Sequence, residues 1–168
     1  MTQLAAGHVI NAIPDDASLR ATVRTLSEST TAQLERDLPE LASAVARAHG
    51  ATADTTFTRL YPVTVNDPER TRRAYDVLSR VLPDDSVALL DDPVMGSEDF
   101  SFVLEQVPGT FVFMGAGPAD AATAEAAPTN HSPRAVFDDS MLDREAAVLA
   151  VLATDALQQA RSAETSIG

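Results

Sequence analysis

His131 is the histidine whose surroundings best suit chemistry. It lies in the run Pro-Thr-Asn-His-Ser-Pro at 128–133, so a proline restricts the backbone on each side of the imidazole. This restriction lowers the entropy lost when the ring is held in one place, which suits a metal ligand or an acid–base group. An ordinary polar turn also explains these residues, and one histidine cannot supply the roughly three or four ligands of a metal centre. We interpret the other two histidines, His8 and His49, as surface residues.

A second candidate site is the run Gly96-Ser97-Glu98-Asp99, which follows a predicted buried strand. In open α/β sheets, ligands gather at the carboxyl ends of strands, where a glycine-led turn presents N–H groups and small polar side chains. A helix N-terminus, with Ser97 as its N-cap and two carboxylates near the positive end of the dipole, explains the same residues without any function. The sequence leaves both interpretations open.

The third candidate is the pair Asn11 and Arg24, which lie on the two arms of a predicted hairpin. A guanidinium group beside an amide is a natural clamp for a carboxylate. An exposed strand arginine without a ligand is the commoner alternative.

The elements that must position these residues are predicted from hydrophobic periodicity and turn chemistry. Strands are predicted at 7–13 and 18–26, which form a hairpin around a Pro/Asp turn, and at 52–65, 86–91 and 110–115. Helices are predicted at about 28–49, 68–82, 99–106 and 139–163. Pro39 should kink or split the first helix, and Gly50 suits the position that follows it. The strand at 110–115 is almost entirely apolar, a pattern typical of strands that are buried on both faces.

Composition excludes several classes of protein. The 168 residues include 25 Asp and Glu against 12 basic residues, which gives a net charge of −13 that disfavours nucleic acids and anionic membranes as partners. Cysteine is absent, so the chain has no disulfides and no cysteine metal ligands. The sequence shows no secretory signal and no membrane-spanning run, which predicts a cytoplasmic protein.

Several short motifs occur in a fixed order between residues 7 and 139. They are GHVINAIPD at 7–15, ATVRT at 21–25, MGSEDFS at 95–101, VPGTF at 107–111, NHSP at 130–133 and FDD at 137–139. Together they resemble the metal-dependent amidohydrolases, a family that includes hippurate hydrolase, the indole-acetyl-amino-acid hydrolases and, more distantly, aminoacylase and glutamate carboxypeptidase.

The resemblance implies a two-domain α/β enzyme that hydrolyses the amide bond of N-acyl amino acids or peptides. It implies that residues 1–66 are half of a ferredoxin-like lid and dimerisation domain. Residues 67–168 would then be the C-terminal part of a zinc-peptidase-like α/β catalytic domain. A homodimer formed through the lid and a divalent metal, zinc or manganese, are implied as well.

The resemblance also assigns roles to particular residues. It implies that His131 is a metal ligand, and that Asn11 and Arg24 hold the substrate carboxylate. Gly96 and Ser97 correspond to a substrate-facing loop, while Glu98 and Asp99 share the motif without an assigned role.

In such enzymes the remaining metal ligands and the catalytic glutamate precede the lid hairpin. This sequence contains no His-x-Asp, Cys-x-His or Glu-Glu pair, so we assign no catalytic residue in it. The expectation is a C-terminal fragment of an amidohydrolase, and whether the chain is itself an enzyme stays open. The alternative is a non-catalytic dimerising module, or an inactive remnant that lacks the main metal site.

Overall fold

The computed structural model describes residues 1–118 and 126–165. These residues form a two-stranded sheet, four α-helices and one short 3₁₀ helix. The mixture of helices and strands agrees with the predicted α/β class. No helix among the described residues is long and apolar enough to cross a membrane.

The chain divides into two compact units. The first unit comprises Met1–Thr64 and Asp92–Val103, and the second comprises Val65–Asp91 and Leu104–Gly168. Whether they correspond to a ferredoxin-like lid and a zinc-peptidase-like catalytic domain stays a prediction.

The hairpin of the first unit forms, but its first arm lies earlier than predicted. Strand β1 (Gln3–Ala6) pairs antiparallel with β2 (Ala17–Arg20). The predicted strand at 7–13 is wrong, because these residues belong to the connection between the strands. Gly7 ends β1 with a φ of +68°, a left-handed conformation that leaves the strand, and a Cβ there would lie 3.5 Å from the Pro14 ring.

Helix α1 (Glu28–Ala48) lies where periodicity predicts a helix. The side chain of Ser27 caps it by accepting a hydrogen bond from the Thr30 N–H, and Gly50 follows it with a φ of +72°. The predicted split at Pro39 does not occur, since the helix is continuous through that residue. Proline removes only one backbone hydrogen bond of a helix, so the caps and remaining bonds sustain this one.

The segment predicted as a strand at 52–65 forms no paired strand. Polar contacts attach it to α1 instead. The Arg59 guanidinium lies 3.1 Å from a carboxylate oxygen of Glu28 and 2.8 Å from one of Glu35. The Val63 N–H also donates to the Glu28 carboxylate. A sequence pattern cannot foresee this outcome, because a strand requires a partner strand in space.

Two helices form the core of the second unit. Helix α2 (Pro68–Val81) begins after Asp67, whose side chain accepts a hydrogen bond from the Arg70 N–H. The short helix α3 (Phe100–Leu104), most of which belongs to the first unit, follows α2 in the sequence. Helix α4 (Leu142–Thr165) follows a 3₁₀ turn at Asp139–Met141. The buried apolar side chains of the described chain are Ala74, Val77 and Leu78 on α2 and Val148 on α4.

An ion pair joins the same two helices. The Arg73 guanidinium donates to both carboxylate oxygens of Asp155, at 2.6 and 2.9 Å, and the Gln159 amide donates to one of them. The hydrogen bond from Arg73 is the main reason why the pKa of Asp155 lies below its ordinary value of 3.8.

The predicted strands at 86–91 and 110–115 are not paired, so these strand predictions are wrong as well. Within the described residues, the only ladder is that between β1 and β2. The 110–115 segment instead meets a side chain: the Phe111 N–H donates to the Asn66 amide oxygen at 2.7 Å, and the Asn66 amide donates to the Phe111 carbonyl at 3.1 Å.

Candidate functional site

Asn11 and Arg24 both lie on the surface of the first unit. Asn11 is exposed in the connection between β1 and β2, and Arg24 is exposed in the segment between β2 and α1. The ladder pairs Ala6 with Ala17 at one end and Gln3 with Arg20 at the other. Asn11 therefore follows one end of the ladder and Arg24 the other, so strand pairing does not place them opposite each other.

The Arg24 side chain makes no hydrogen bond or ion pair with any described residue. An exposed guanidinium without an internal partner keeps its five N–H donors available to a carboxylate. The geometry thus leaves Arg24 free for the anion that the sequence assigns to it.

Gly96 and Ser97 lie on an exposed loop of the first unit, just before a turn that is well anchored. The anchor is Ser101, whose side chain is completely buried. Its N–H and its hydroxyl both donate to the Glu98 carbonyl, at 3.2 and 2.5 Å. The Phe102 N–H donates to the Asp99 carbonyl in the same turn. The turn therefore holds the end of the loop that carries Gly96 and Ser97.

An aromatic contact between Phe102 and a residue distant in sequence also stabilises this turn. The ring of Phe102 meets the ring of Tyr61 edge to face, with the ring centres 6.1 Å apart. Sequence reasoning missed both Ser101 and Tyr61 as positioning residues. The final serine of the MGSEDFS motif is the signal that could have identified Ser101, whereas no local pattern marks Tyr61.

His131 lies on the surface of the second unit, in a turn that a second turn follows directly. The Ser132 N–H donates to the Thr129 carbonyl at 2.8 Å, and the Ala135 N–H donates to the Ser132 carbonyl at 3.1 Å. Both turns agree with the restriction expected from the flanking prolines. Hydrogen bonds thus fix the backbone at His131 and directly after it.

A backbone hydrogen bond fixes the C-terminal side of the segment that contains His131. The Asp138 N–H donates to the Ala116 carbonyl at 2.8 Å. Hydrogen bonds from Ser140 lower the pKa of Asp138, and its carboxylate accepts from the Ser140 N–H at 3.0 Å. Asp138 is therefore ionised at neutral pH and caps the 3₁₀ turn that leads into α4.

The described residues do not by themselves fit a metal ion. Across 1–118 and 126–165, no three His, Cys, Asp or Glu side chains lie together in a way that could hold one. His131 is a single donor there, so any metal centre that includes it needs ligands from elsewhere.

Comparison with known proteins gives a family match along nearly the whole chain. Residues 3–155 match the family described as Peptidase family M20/M25/M40. No solved structure is significantly similar to the chain.

Three curated relatives illustrate the match. Thermostable carboxypeptidase 1 of Saccharolobus solfataricus is 32% identical over 154 residues, which cover 91% of this chain and 37% of the relative. IAA-amino acid hydrolase ILR1-like 6 of Arabidopsis thaliana is 30% identical, with 91% and 33% covered. Hippurate hydrolase of Campylobacter jejuni is 28% identical, with 88% and 37% covered. The chain thus spans about a third of the length of these relatives, between 33% and 37%.

Proposed function

The chain belongs to peptidase family M20/M25/M40, and from this membership we propose that its residues serve a metal-dependent amidohydrolase that cleaves N-acyl amino acids. The observation that carries the proposal is the match over residues 3–155, which includes every candidate site residue. The names of hippurate hydrolase and of the IAA-amino acid hydrolase point to acylated amino acids as the substrate class. Because the chain spans 37% or less of these relatives, the activity is proposed for a whole hydrolase that contains these residues.

In this proposal Arg24 binds the free carboxylate of the substrate. Its guanidinium is exposed and has no partner among the described residues, so it can form a bidentate pair with a carboxylate. The motif resemblance assigns Asn11 to the same carboxylate, although strand pairing does not place Asn11 opposite Arg24. Gly96 and Ser97 face the substrate from a loop whose following turn is fixed by the buried Ser101.

His131 supplies one ligand to a divalent metal, zinc or manganese. The proposal rests on the turn that contains His131, on the turn that follows it and on the hydrogen bond between Asp138 and Ala116. A divalent metal in an amidohydrolase supplies Lewis-acid chemistry. In this proposal the chain holds the His131 imidazole in a set position. The described residues provide no second ligand for the same metal ion.

The assignment of residues 1–66 to a lid domain also leads to a proposal about oligomeric state. We assign the first unit to a homodimer contact, in line with the dimerisation role that the motif resemblance implies. Sedimentation of the whole hydrolase tests this directly: a dimer supports it, and a monomer at micromolar concentration contradicts it.

The experiment for the proposed function is a chimera with the Campylobacter hippurate hydrolase. Residues of this chain replace the stretch of that enzyme that they match, and the metal content and hippurate hydrolysis of the purified chimera are measured. We expect hydrolysis above a metal-stripped control. The parent enzyme, expressed in parallel, reports whether the preparation preserves activity.

Two histidine variants of the chimera test the metal assignment. His131→Ala should lower the amount of metal bound per chain and abolish hydrolysis, because the metal loses one of its ligands. His49→Ala, which changes an exposed histidine at the end of α1, should alter neither quantity. Equal metal content in the two variants would remove His131 from the metal centre.

A further inference from the structure

An aromatic pair lies at the turn that follows Gly96 and Ser97 in the first unit. The rings of Tyr61 and Phe102 meet edge to face, with an interplanar angle of 63° and ring centres 6.1 Å apart. Each of the two side chains is 50% exposed, and Met95, directly before the glycine, is 46% exposed. Binding sites for small molecules are lined mainly by apolar and aromatic side chains with a few polar groups among them. This part of the first unit has that composition.

The turn that holds Ser101 also keeps Phe102 close to the loop. The Phe102 N–H donates to the Asp99 carbonyl at 3.0 Å, and the Ser101 N–H and hydroxyl both donate to the Glu98 carbonyl. Helical turns advance by at most about 2 Å per residue, so the backbone of Phe102 lies within roughly 8 Å of that of Glu98. Ser97 directly precedes Glu98. A small molecule that contacts Ser97 is therefore within reach of the Phe102 ring.

Contacts with α1 hold the chain on both sides of Tyr61. Two residues before it, Arg59 pairs with Glu28 at 3.1 Å and with Glu35 at 2.8 Å. Two residues after it, the Val63 N–H donates to the Glu28 carboxylate at 3.4 Å. The Tyr61 hydroxyl makes no hydrogen bond with any residue of the described ranges. The ring is thus held in place before a ligand binds, which lowers the entropy lost on binding, while its hydroxyl stays available.

From these observations we infer that Tyr61 and Phe102 determine acyl-group specificity: their rings bind an aromatic acyl group and discriminate against short aliphatic ones. The inference rests on the proposed function, because it concerns the substrate of the same site. An N-aroyl amino acid has an anionic end and an uncharged apolar end. A chain with a net charge of −13 binds the anionic end only at a dedicated cation such as Arg24, which leaves the apolar end for the rings. An aromatic group gains more than an aliphatic one there, since ring edges and faces attract each other.

The test uses the hippurate hydrolase chimera and two ligands that share one amino acid. Hippurate is N-benzoylglycine, and N-acetylglycine carries a methyl group in place of the phenyl ring. Dissociation constants for both ligands are measured by equilibrium dialysis with the metal-stripped chimera, where the ligands are not consumed. The ratio of the two constants reports on the acyl group, because the carboxylate and the amide are common to both ligands. Hydrolysis of both by the metal-loaded chimera gives the corresponding ratio of kcat/KM.

We expect the unsubstituted chimera to bind N-benzoylglycine about tenfold more tightly than N-acetylglycine. Phe102→Leu and Tyr61→Leu should each lower this preference about threefold to fivefold, because each keeps apolar volume but removes a ring. Tyr61→Phe retains the ring and should keep the preference. The matched control is Phe113→Leu, because Phe113 belongs to an edge-to-face pair of the second unit and is 59% exposed. It should also leave the preference unchanged.

Two results would overturn the inference. One is a chimera that binds the two ligands equally well. The other is a preference that Phe102→Leu and Tyr61→Leu leave unchanged, or that Phe113→Leu lowers as much as they do. Circular dichroism reports whether each variant folds, and the two half-exposed positions provide independent measurements. A chimera that prefers N-benzoylglycine through these rings but hydrolyses neither ligand supports the specificity inference and contradicts only the proposed function.

Discussion

Each of the two units of this chain is stabilised by a different kind of interaction. In the second unit, α2 and α4 pack through buried aliphatic side chains, and the Arg73–Asp155 pair adds a polar contact. In the first unit, the one residue that is buried among those described is Ser101. Exposed ion pairs between Arg59 and α1, together with the ring contact between Tyr61 and Phe102, supply its longer-range side-chain contacts.

This difference separates stability from function within one chain. Apolar burial contributes far more free energy than exposed ion pairs do, so the second unit should be the more resistant to salt and denaturant. The first unit carries Arg24, Gly96 and Ser97 on a framework of polar contacts. Loops that bind ligands are often placed on the less stable part of a protein, because binding requires them to adjust.

The largest effect is expected from the apolar core of the second unit. Leu78→Ala should lower the free energy of unfolding by about 2 to 3 kcal/mol, because it removes a side chain that is 3% exposed and leaves a cavity. Chemical denaturation followed by helical circular dichroism measures the change. Leu157→Ala, at a residue that is 63% exposed on α4, should cost less than about 0.5 kcal/mol. Equal costs would show that the helices do not pack through this contact.

The next effect concerns the buried serine of the first unit. Ser101→Ala removes the hydroxyl donor to the Glu98 carbonyl and should cost about 1 kcal/mol. The chain has no tryptophan, so tyrosine fluorescence in a Tyr75→Phe background reports on Tyr61, which contacts the turn through Phe102. Ser97→Ala, on the exposed part of the loop, is the control and should leave the transition unchanged. If both variants unfold like the parent, Ser101 does not anchor the turn.

The ion pair of the second unit should make its stability depend on pH. The pKa of Asp155 is lowered in the folded protein, chiefly by Arg73, so the pair stabilises the fold fully above the ordinary pKa of 3.8. That contribution is lost as the pH falls from there through the lowered folded-state pKa. The effect should be smaller than that of Leu78→Ala, because Arg73 remains 42% exposed to solvent.

Acid titration of two variants checks this dependence. Asp155→Asn should flatten the loss of helical signal below pH 3.8, because the titrating group is gone. Asp76→Asn, at an exposed residue of α2, should titrate like the parent. Parallel acid profiles for the parent and Asp155→Asn would refute the role of the pair.

The smallest effect is expected from the exposed ion pairs of the first unit. Arg59→Ala should cost about 0.5 kcal/mol at low ionic strength and almost nothing in about 1 M salt, because salt screens exposed pairs. Arg36→Ala, at an exposed arginine of α1 itself, is the matched control. A cost for Arg59→Ala that is unchanged in high salt would show that packing, rather than charge, attaches Arg59 to α1.

The sequence was sufficient for the helices and insufficient for the strands, for a physical reason. Helical hydrogen bonds are local, so hydrophobic periodicity predicted α1 almost to the residue. Strands need partners elsewhere, and neither 86–91 nor 110–115 finds one among the described residues. The first hairpin arm was misplaced because the left-handed φ of Gly7 outweighs the β-propensity of the residues after it.

The candidate site, too, was only partly predictable from the sequence. The motifs identified Arg24 and His131, and the local turns around His131 agree with the restriction expected from the flanking prolines. They could not show that Asn11 and Arg24 both lie outside the ladder, beyond its opposite ends. Nor could they show that Ser101 is buried, because burial depends on residues distant in sequence.

The most direct test of the account is the Michaelis constant for hippurate in the hippurate hydrolase chimera. We compare Arg24→Ala with Arg20→Ala, which changes an exposed arginine four residues earlier on β2. Loss of a charge-assisted carboxylate contact should raise KM about tenfold or more for Arg24→Ala and leave kcat and the Arg20 variant nearly unchanged. A KM for Arg24→Ala equal to that of the unsubstituted chimera would contradict the assignment of this chain to carboxylate recognition.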